Sequence, residues 1–509
     1  MEQTVDREDR ISELPVHIVY DILRRIRKYG LKEEVRTCVL SKTWSSIWRS
    51  RPDVIINQSS HNSFMKSTEK FIKFADDSLR PYVEQNLRVE TLRLLSLRDQ
   101  ELASHIDRWL NLVIKLNVRS LEIYAMYNLK YSVPDAIYAA KTLTELSLRG
   151  CNFEIDNSTN KLQRLITTCP LIRDLKISRC WGIQNLLVFG LVNLEKLELR
   201  SCEGLEKVEI QAPNLREFVY VGVPLHKCPK VREPKLLPCT IDILDGYKTL
   251  EYLYLEATTM TDKQFEYRLS KFTALEVLDL RECYIMKNIK VMSEKLKKFT
   301  LWNWRNLEQV NVLAPNLVAF DFESGKTCMP FSTMDPSNLE RAKINFYLRS
   351  SDDSYHFGDV DTSWYNNLQG FVQKFNYSNG LILVIRCRKD QSILIYEDPR
   401  EIIVPPTREL EICIKNPSMY PEKFTHDLML GRPNIISIVP CRESKLVQVF
   451  QETITRYKAE QNRRLDEVIN HKGATENGET SRLYSWLKST PLIERITTFT
   501  FKWKEPPFS

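Results

Sequence analysis

Apolar residues recur through the middle of the chain at one fixed spacing, Leu-x-x-Leu-x-Leu or a close variant of it. The last two apolar positions of each frame alternate with polar ones, which is typical of a short strand that buries one face. A single unit of this kind cannot bury its apolar face alone, so we expect the units to stack on one another. The ten frames are Leu92-Leu95-Leu97, Val118-Leu121-Ile123, Leu143-Leu146-Leu148, Ile172-Leu175-Ile177, Leu194-Leu197-Leu199, Leu215-Phe218-Tyr220, Leu250-Leu253-Leu255, Leu275-Leu278-Leu280, Leu296-Phe299-Leu301 and Leu317-Phe320-Phe322.

The interval between these frames indicates a leucine-rich-repeat solenoid. Successive frames start 21 to 35 residues apart. All but one of the intervals lie within or at the edge of the roughly 20 to 29 residues of such repeats. The exception, between residues 215 and 250, contains four prolines and is predicted to include a loop. Two weaker frames follow at Arg341-Ile344-Phe346 and Thr407-Leu410-Ile412.

Four cysteines share one position, three residues after the last apolar residue of a frame. In leucine-rich repeats this position belongs to Asn or Cys, in the turn that leaves the strand, with the side chain facing inward. We therefore expect buried structural thiols rather than reactive ones at Cys151, Cys180, Cys202 and Cys283.

The strands of such a solenoid line up as one parallel sheet on its concave side, with alternate side chains pointing outward. These outward positions mix both charges with aromatic residues, which suits recognition of a protein better than of a phosphate chain. For any one of these residues, ordinary solvated decoration is the alternative explanation. The outward residues predicted to bind a protein substrate are Arg149, Lys176, Arg200, Tyr254, Arg281 and Trp302.

The first fifty residues predict three short helices. Pro15 suits the start of a helix, and Ile18, Ile22 and Ile26 then form one apolar stripe at a spacing of four residues. A second helix follows, and Ser41 is placed to cap a third. Helices this short cannot bury their apolar surface among themselves, so either a partner covers it or the helices cap the solenoid.

Two strings within residues 9–51, DRISELPVHIVYDILRRI and EEVRTCVLSKTWSSIWRS, resemble the plant F-box. In that family the F-box binds a Skp-type adaptor, which attaches the protein to the cullin and RING subunits of a ubiquitin ligase. The resemblance implies that eight residues form the adaptor interface or support it, whereas Trp48 is expected to be internal core. The eight residues are Leu14, Pro15, Ile18, Ile22, Val35, Leu40, Ser41 and Trp44.

The two patterns together predict an α/β chain with a short three-helix F-box and a leucine-rich-repeat solenoid that degenerates towards its C-terminal end. Within the last third, residues 445–470 are predicted to be helical, 471–481 a loop and 493–503 an edge strand. The predicted units are the F-box at 9–51, a helical linker at 52–88, repeats at 89–335, degenerate repeats at 336–440, and a helix, loop and capping element at 441–509.

Composition narrows the choice of partners. The net charge of +7 is a small excess from 73 basic and 66 acidic residues, so we predict no nucleic-acid partner. No apolar run reaches the roughly 18 residues of a membrane span, and we expect a nuclear or cytoplasmic protein without a membrane partner. The twelve cysteines include no CxxC pair and the seven histidines are scattered, so no metal site and no cofactor is predicted.

Catalytic motifs are missing from the sequence, which contains no P-loop, HExxH or GxSxG pattern. We therefore predict no catalytic residue. The F-box resemblance implies the substrate-recognition subunit of an SCF (Skp–cullin–F-box) ubiquitin ligase. Two alternatives stay open: a repeat scaffold that binds the adaptor without substrate turnover, and an enzyme whose site lies in the C-terminal third.

Overall fold

The computed structural model of the 509-residue chain describes two compact units, one formed by Met1–Val223 with Cys239–Gly246 and the other by Pro224–Pro238 with Tyr247–Ser509. Each unit is considered by itself below. The described residues are 13–26, 31–61, 67–126, 129, 131–153, 161–223, 237–244, 248–304, 307–324, 339, 341–348, 381–387, 410–415, 435–439, 452, 455, 465–472 and 497–503.

The first unit begins with three short helices. They are α1 (Val16–Ile26), α2 (Leu31–Arg36), which runs into a 3-10 turn at Thr37–Val39, and α3 (Lys42–Arg49). The hydroxyl of Ser41 accepts a hydrogen bond of 3.2 Å from the backbone N–H of Trp44, which confirms the predicted cap of the third helix. The helices enclose a small core of Val19, Leu23, Trp44 and Ile47.

The repeats of the first unit alternate short strands with helices and turns. The helices are α4 (Gln58–His61), α5 (Thr68–Glu84), α6 (Ala103–Lys115) and α7 (Lys161–Thr168). The strands are β1 (Asp53–Asn57), β2 (Thr91–Leu97), β3 (Ser120–Ala125), β4 (Glu145–Arg149), β5 (Asp174–Ser178), β6 (Asn185–Phe189), β7 (Lys196–Arg200), β8 (Lys207–Gln211), β9 (Glu217–Val221) and β10 (Thr240–Ile243).

The main sheet of this unit is parallel, in the order β1–β2–β3–β4–β5–β7–β9. Its register brings the same inward position of every repeat into one ladder, in which Leu121, Leu146, Leu175 and Leu197 are neighbours. Each of these leucines is buried, and burial of one leucine side chain contributes about 1.5–3 kcal/mol. The ladder confirms the predicted leucine-rich-repeat solenoid.

Two details at the start of the sheet correct the sequence interpretation. Strand β1 lies in the segment predicted as a helical linker, and it pairs with β2. The first frame was also placed three residues too late. Leu92 pairs with Leu121, so the buried frame is Val89-Leu92-Leu94, while Leu95 is half-buried. A register irregularity after Leu94 separates this frame from Leu97.

A second, smaller sheet was not predicted. Strands β6, β8 and β10 pair in parallel and lie in the return segments between the main strands. Strand β10 lies within the long interval between residues 215 and 250, so the predicted loop occupies only part of that interval. Residues 224–236 of the loop lie outside the described part of the chain. The amide of Asn214 ties two successive returns together, donating a hydrogen bond of 2.7 Å to the Val192 carbonyl.

The second unit continues the same architecture. Its helix is α8 (Asp262–Leu269), and its strands are β11 (Tyr252–Glu256), β12 (Val277–Arg281), β13 (Asn288–Met292), β14 (Lys298–Trp304), β15 (Gln309–Leu313), β16 (Ala319–Ser324), β17 (Arg341–Leu348), β18 (Leu381–Cys387), β19 (Leu410–Lys415), β20 (Ile435–Val439), β21 (Leu465–Lys472) and β22 (Thr497–Trp503).

Parallel pairing in the second unit runs β11–β12–β14–β16–β17–β18–β19–β20, while β13 and β15 form a separate pair. The repeats thus persist into the region predicted to be degenerate. One weak frame was displaced, because Phe320 pairs with Ala342 and the repeat therefore reads Leu339-Ala342-Ile344. The other frame is in register, since Leu381 pairs with Leu410.

The C-terminal end of the sheet differs from the prediction. Strand β22 is antiparallel to both β20 and β21, so β21 lies at the edge and β22 does not. Strand β21 also occupies residues 465–472, where a helix and the start of a loop were predicted. The two antiparallel strands extend the otherwise parallel sheet beyond β20.

The turns that leave β4, β5, β7 and β12 have a left-handed backbone conformation. Gly150, Arg179, Ser201 and Glu282 occupy this position, with φ of 68°, 51°, 50° and 50°. The N–H of the turn residue bonds to the last strand carbonyl of the next repeat, as Gly150 does to Ser178 at 2.9 Å. Only at Gly150 is a side chain sterically impossible without movement, since a Cβ would stand 2.0 Å from the Ala125 carbonyl oxygen.

We predict that Gly150→Ala lowers the free energy of unfolding by about 1–3 kcal/mol, because it adds both a clash and left-handed strain. Urea unfolding followed by tryptophan fluorescence measures the effect. Arg179→Ala is the matched control, since this residue already carries a Cβ in the same conformation, and its effect should stay within about 0.5 kcal/mol. Equal stability of the two variants would contradict the steric argument.

Candidate functional site

The three N-terminal helices expose an unusual share of apolar side chains. Thirteen large apolar residues are exposed in the described part of the chain, and five of them lie within the first forty positions. Exposed apolar side chains concentrated in one short segment favour an interaction surface there. We call these five residues the N-terminal apolar surface: Val16, Ile18, Val35, Val39 and Leu40.

Of the eight residues implied to serve the adaptor, some are exposed and others are internal. Pro15, Ile18, Val35 and Leu40 are exposed to solvent. Leu14 and Ile22 are half-buried against the helical core, Trp44 is 2% exposed within that core, and Ser41 caps α3. The last four therefore support the surface from inside.

Sequence comparison with the F-box pattern missed the most exposed apolar residue of the surface, Val39, at 87%. It lies four residues after Val35, a spacing that places both on one side of a helical turn. The roles expected of the tryptophans are also exchanged in part. Trp44 belongs to the internal core, and Trp48 packs against that core from a half-buried position.

Arg51 connects the three helices to the repeat sheet of the same unit. Its guanidinium lies 4.3 Å from the centre of the Trp48 ring and donates to the backbone carbonyls of Trp48, at 2.8 Å, and Asp53, at 3.1 Å. A carboxylate oxygen of the fully buried Glu34 lies 3.8 Å from its Nε. The Tyr82 hydroxyl donates to the Arg51 carbonyl at 2.7 Å. These contacts join the end of the third helix to β1 and α5.

The main sheet of the first unit has an outer face, which is the side opposite to the buried leucine ladder. The predicted substrate residues Arg149, Lys176 and Arg200 lie on this face and are half-buried. The Arg149 guanidinium stacks 4.3 Å above the ring centre of its register neighbour Tyr124. Lys176 forms an ion pair of 2.7 Å with Asp174, and Arg200 pairs with Glu198. Each basic residue of this face is therefore paired with an acidic or aromatic neighbour, and the face does not form a continuous strip of positive charge.

The remaining three predicted residues, Tyr254, Arg281 and Trp302, meet on the outer face of the second unit. Arg281 donates two hydrogen bonds, of 2.8 and 2.9 Å, to the carboxylate of the buried Asp279. Its guanidinium lies 5.2 Å from the Tyr254 ring centre and 5.7 Å from that of Trp302. We call Tyr254, Asp279, Arg281 and Trp302 the aromatic–arginine cluster.

The electrostatics of this cluster fix its charge state. Hydrogen bonds to Asp279 raise the pKa of Arg281, and burial together with the hydrogen bond to Glu256 raises the pKa of Tyr254. The cluster thus presents a permanent, oriented cation between two aromatic rings. Aromatic residues and Arg in such settings dominate protein–protein affinity.

The four repeat-turn cysteines are buried, as predicted. The thiols of Cys180, Cys202 and Cys283 donate to carbonyls of the preceding repeat at 3.5 to 3.6 Å. Burial raises the pKa of Cys202 and raises the pKa of Cys283 to about 12. A thiol that stays protonated is a poor nucleophile, so Cys202 and Cys283 are structural. Burial alone would raise the pKa of Cys180, but hydrogen bonds from its neighbours lower it, and its structural role rests on its burial in the turn.

In the described part of the chain, no group of three or more His, Cys, Asp or Glu residues is arranged to hold a metal ion. No helix among the described residues has the length and apolar character needed to cross a bilayer.

A depression of about 860 Å³ in the first unit was not anticipated. The depression is lined by residues at the start of the main strands. Among them, Arg119, Arg173 and Arg216 alternate with acidic and neutral side chains such as Glu195. The only sequence signal is a polar residue just before each strand, which is too common to distinguish a binding surface.

Comparison with known proteins agrees with this architecture. The family model described as At1g61320/AtMIF1, LRR domain, matches residues 81–236 and 231–353, more than half of the chain. The FBD-associated F-box protein At5g22730 of Arabidopsis thaliana is 26% identical over 195 residues, which are 34% of this chain and 40% of that protein. The F-box/LRR-repeat protein At2g42730 of the same plant is 24% identical over 266 residues, 47% of this chain and 58% of that protein.

A longer match is to the FBD-associated F-box protein At5g60610 of Arabidopsis thaliana, 24% identical over 347 residues, which are 60% of this chain and 82% of that protein. The chain otherwise spans about half the length of the curated relatives that it matches. The repeat sheet, the three N-terminal helices and these matches lead to one conclusion: the chain belongs to the plant family of F-box/leucine-rich-repeat proteins, with repeats of the At1g61320/AtMIF1 type.

Proposed function

We propose that this chain is the substrate-recognition subunit of an SCF ubiquitin ligase that works in the nucleus or cytoplasm. The observation that carries the proposal is the N-terminal apolar surface, which lies on a well-packed helical unit and so is available for a Skp-type adaptor. The adaptor in turn connects to the cullin and RING subunits. The relatives' names include the F-box but name no partner.

The proposed mechanism is positional and requires no catalytic residue in this chain. Arg51 and its partners hold the adaptor-binding helices on the first repeats, so a docked adaptor would have a defined orientation to the sheet of that unit. A substrate bound on the outer sheet face is then held near the ubiquitin-loaded enzyme at high effective concentration. The chain supplies proximity, and other subunits supply the chemistry.

The aromatic–arginine cluster is the best candidate for substrate contact within this proposal. It contains an ion pair between the half-buried Arg281 and the buried Asp279, and two aromatic rings, the residue types that anchor interfaces. A scaffold that binds the adaptor without turning over a substrate would have the same helices. The two functions differ in whether a protein accumulates when this chain is removed.

For the adaptor interface, we predict that the double variant Val39→Glu with Leu40→Glu weakens binding of a plant Skp-type adaptor about thirtyfold or more, because charges enter an apolar contact. Calorimetry with the purified full-length chain measures the affinity. Both residues are exposed, at 87% and 53%, so the fold should be unaffected. Truncation of Leu14 is a poorer test, since Leu14 packs against the core.

Val83→Glu is the matched control for this experiment, since Val83 is 47% exposed on α5, outside the three helices. This variant should bind the adaptor as tightly as the wild type does. Wild-type affinity in the Val39→Glu, Leu40→Glu variant would refute the proposed interface. No binding by the wild type would leave a repeat scaffold as the better explanation.

For the substrate face, we predict that Trp302→Ala abolishes degradation of the substrate while adaptor binding is retained. Trp302 is preferable to Arg281 for this test, because removal of Arg281 would leave the buried Asp279 without its cation. The measurement is protein half-life by quantitative mass spectrometry in plant cells that lack the chain and are complemented with each variant. Met292→Ala, an exposed residue of β13, is the control and should restore normal half-lives.

A further inference from the structure

The outer face of the main sheet in the first unit changes charge from one end of its strands to the other. The first outward positions of β3, β4, β5, β7 and β9 carry three acidic residues and one lysine, whereas the last outward positions carry two arginines and no acidic residue. We call the first set the strand-start row, which is Ser120, Glu145, Asp174, Lys196 and Glu217, and the last set the carboxyl-end row, which is Tyr124, Arg149, Ser178, Arg200 and Val221. A carboxylate is therefore favoured at the carboxyl-end row and disfavoured at the strand-start row.

Arg149 differs from the other cations of the outer faces, because within the described part of the chain no carboxylate neutralises its charge. The partner that the structure gives it is the ring of Tyr124, whose centre lies 4.3 Å from the guanidinium carbon. At the other outward positions of the main strands where the side chain is described, each basic residue pairs with a carboxylate. These pairs are Arg93–Glu122, Lys176–Asp174, Lys196–Glu217, Arg200–Glu198, Arg281–Asp279 and Lys298–Asp321. The charge of Arg149 therefore remains available to a ligand.

Stacking on Tyr124 leaves the outer edge of the Arg149 guanidinium for this ligand. Both residues are half-buried. The Nε atom of Arg149 is buried, whereas its two terminal nitrogens are not among the buried unpartnered atoms of the described residues. A ring against the guanidinium fixes the plane of the group, and its terminal N–H groups match the two oxygens of a carboxylate. The side chain is thus oriented before a ligand arrives, which lowers the entropic cost of binding.

We propose that Arg149, held on the Tyr124 ring, binds an acidic side chain in an extended segment of the protein substrate. The inference rests on the proposed function, because it names the chemistry of the substrate that the ligase recognises. A single carboxylate fits this face better than a polyanion does. A polyanion laid across the sheet would meet Glu145, Asp174 and Glu217 of the strand-start row.

The test uses two libraries of acetylated and amidated nonapeptides, which carry either glutamate or glutamine at the central position and random uncharged residues elsewhere. The purified full-length chain is equilibrated with each library, and the retained peptides are identified by mass spectrometry. We expect the chain to retain the glutamate-centred peptides preferentially. The strongest binders are then resynthesised with a fluorescent label as pairs that differ only at the central residue. The glutamate member should bind about tenfold more tightly by fluorescence anisotropy.

Arg149→Met removes the charge and keeps a side chain long enough to pack on Tyr124. This variant should bind the glutamate peptide about tenfold more weakly and the glutamine peptide within about twofold of the wild type, so that the double-mutant cycle assigns the loss to this one pair. Arg149→Lys keeps the charge but lacks the planar fork, and it should recover only part of the affinity. Lys207→Met is the charge-matched control, since Lys207 lies on β8 of the smaller sheet, and it should leave both affinities unchanged.

Equal retention of the two libraries by the wild type would overturn the inference, as would equal losses of the two peptides in Arg149→Met. Adaptor affinity, measured on the same proteins, separates this result from the ligase role. Wild-type adaptor binding without any preference for the acidic peptide would remove acid recognition and leave the ligase role intact. A preference for the acidic peptide without adaptor binding would support acid recognition at Arg149 and remove the ligase role.

Discussion

The structure depends on the register between neighbouring strands of successive repeats. Because β3, β4, β5 and β7 are parallel and paired position by position, the inward leucine of each stands on the inward leucine of the repeat before it. The left-handed turn after the strand maintains this register, since its N–H bonds to the next repeat. A one-residue slip would turn the whole ladder outward, so the sheet tolerates variation in the return segments and almost none in the strands.

The same constraint explains which residues are available for function. Inward positions and the repeat-turn cysteines are committed to the ladder, where burial keeps thiols such as Cys283 protonated. Within the part of the chain that the structure describes, the outward positions, the strand ends and the N-terminal helices remain for binding. Recognition of a protein depends on complementary shape, aromatic rings and fixed charges. The outer face of the second unit offers such groups at Tyr254, Arg281 and Trp302.

The repeats could be predicted from the sequence because the same spacing recurs in ten frames. An error in one frame therefore leaves the assignment of the others unchanged. The prediction failed at Leu92, where Leu92, Leu94, Leu95 and Leu97 fit two frames and only pairing with Leu121 decides between them. The second sheet was missed because frames such as Val208 and Ile210 are too short to stand out, although their alternation is visible afterwards. Strand β21 was read as a helix because its neighbours upstream have helical spacing.

The candidate sites were less accessible to sequence reasoning, since contacts decide them. Trp44 and Trp48 are equivalent as letters in a helical pattern, yet Trp44 fills the core and Trp48 packs against it from a half-buried position. Arg51 stacks on the Trp48 ring, donates to the Trp48 carbonyl and donates to the carbonyl of Asp53 at the start of the sheet. A residue that looks like a linker position in the sequence thereby joins the three helices to the first strand of the sheet. In a protein whose proposed work is to bring two others together, this connection has the same importance as the binding surfaces themselves.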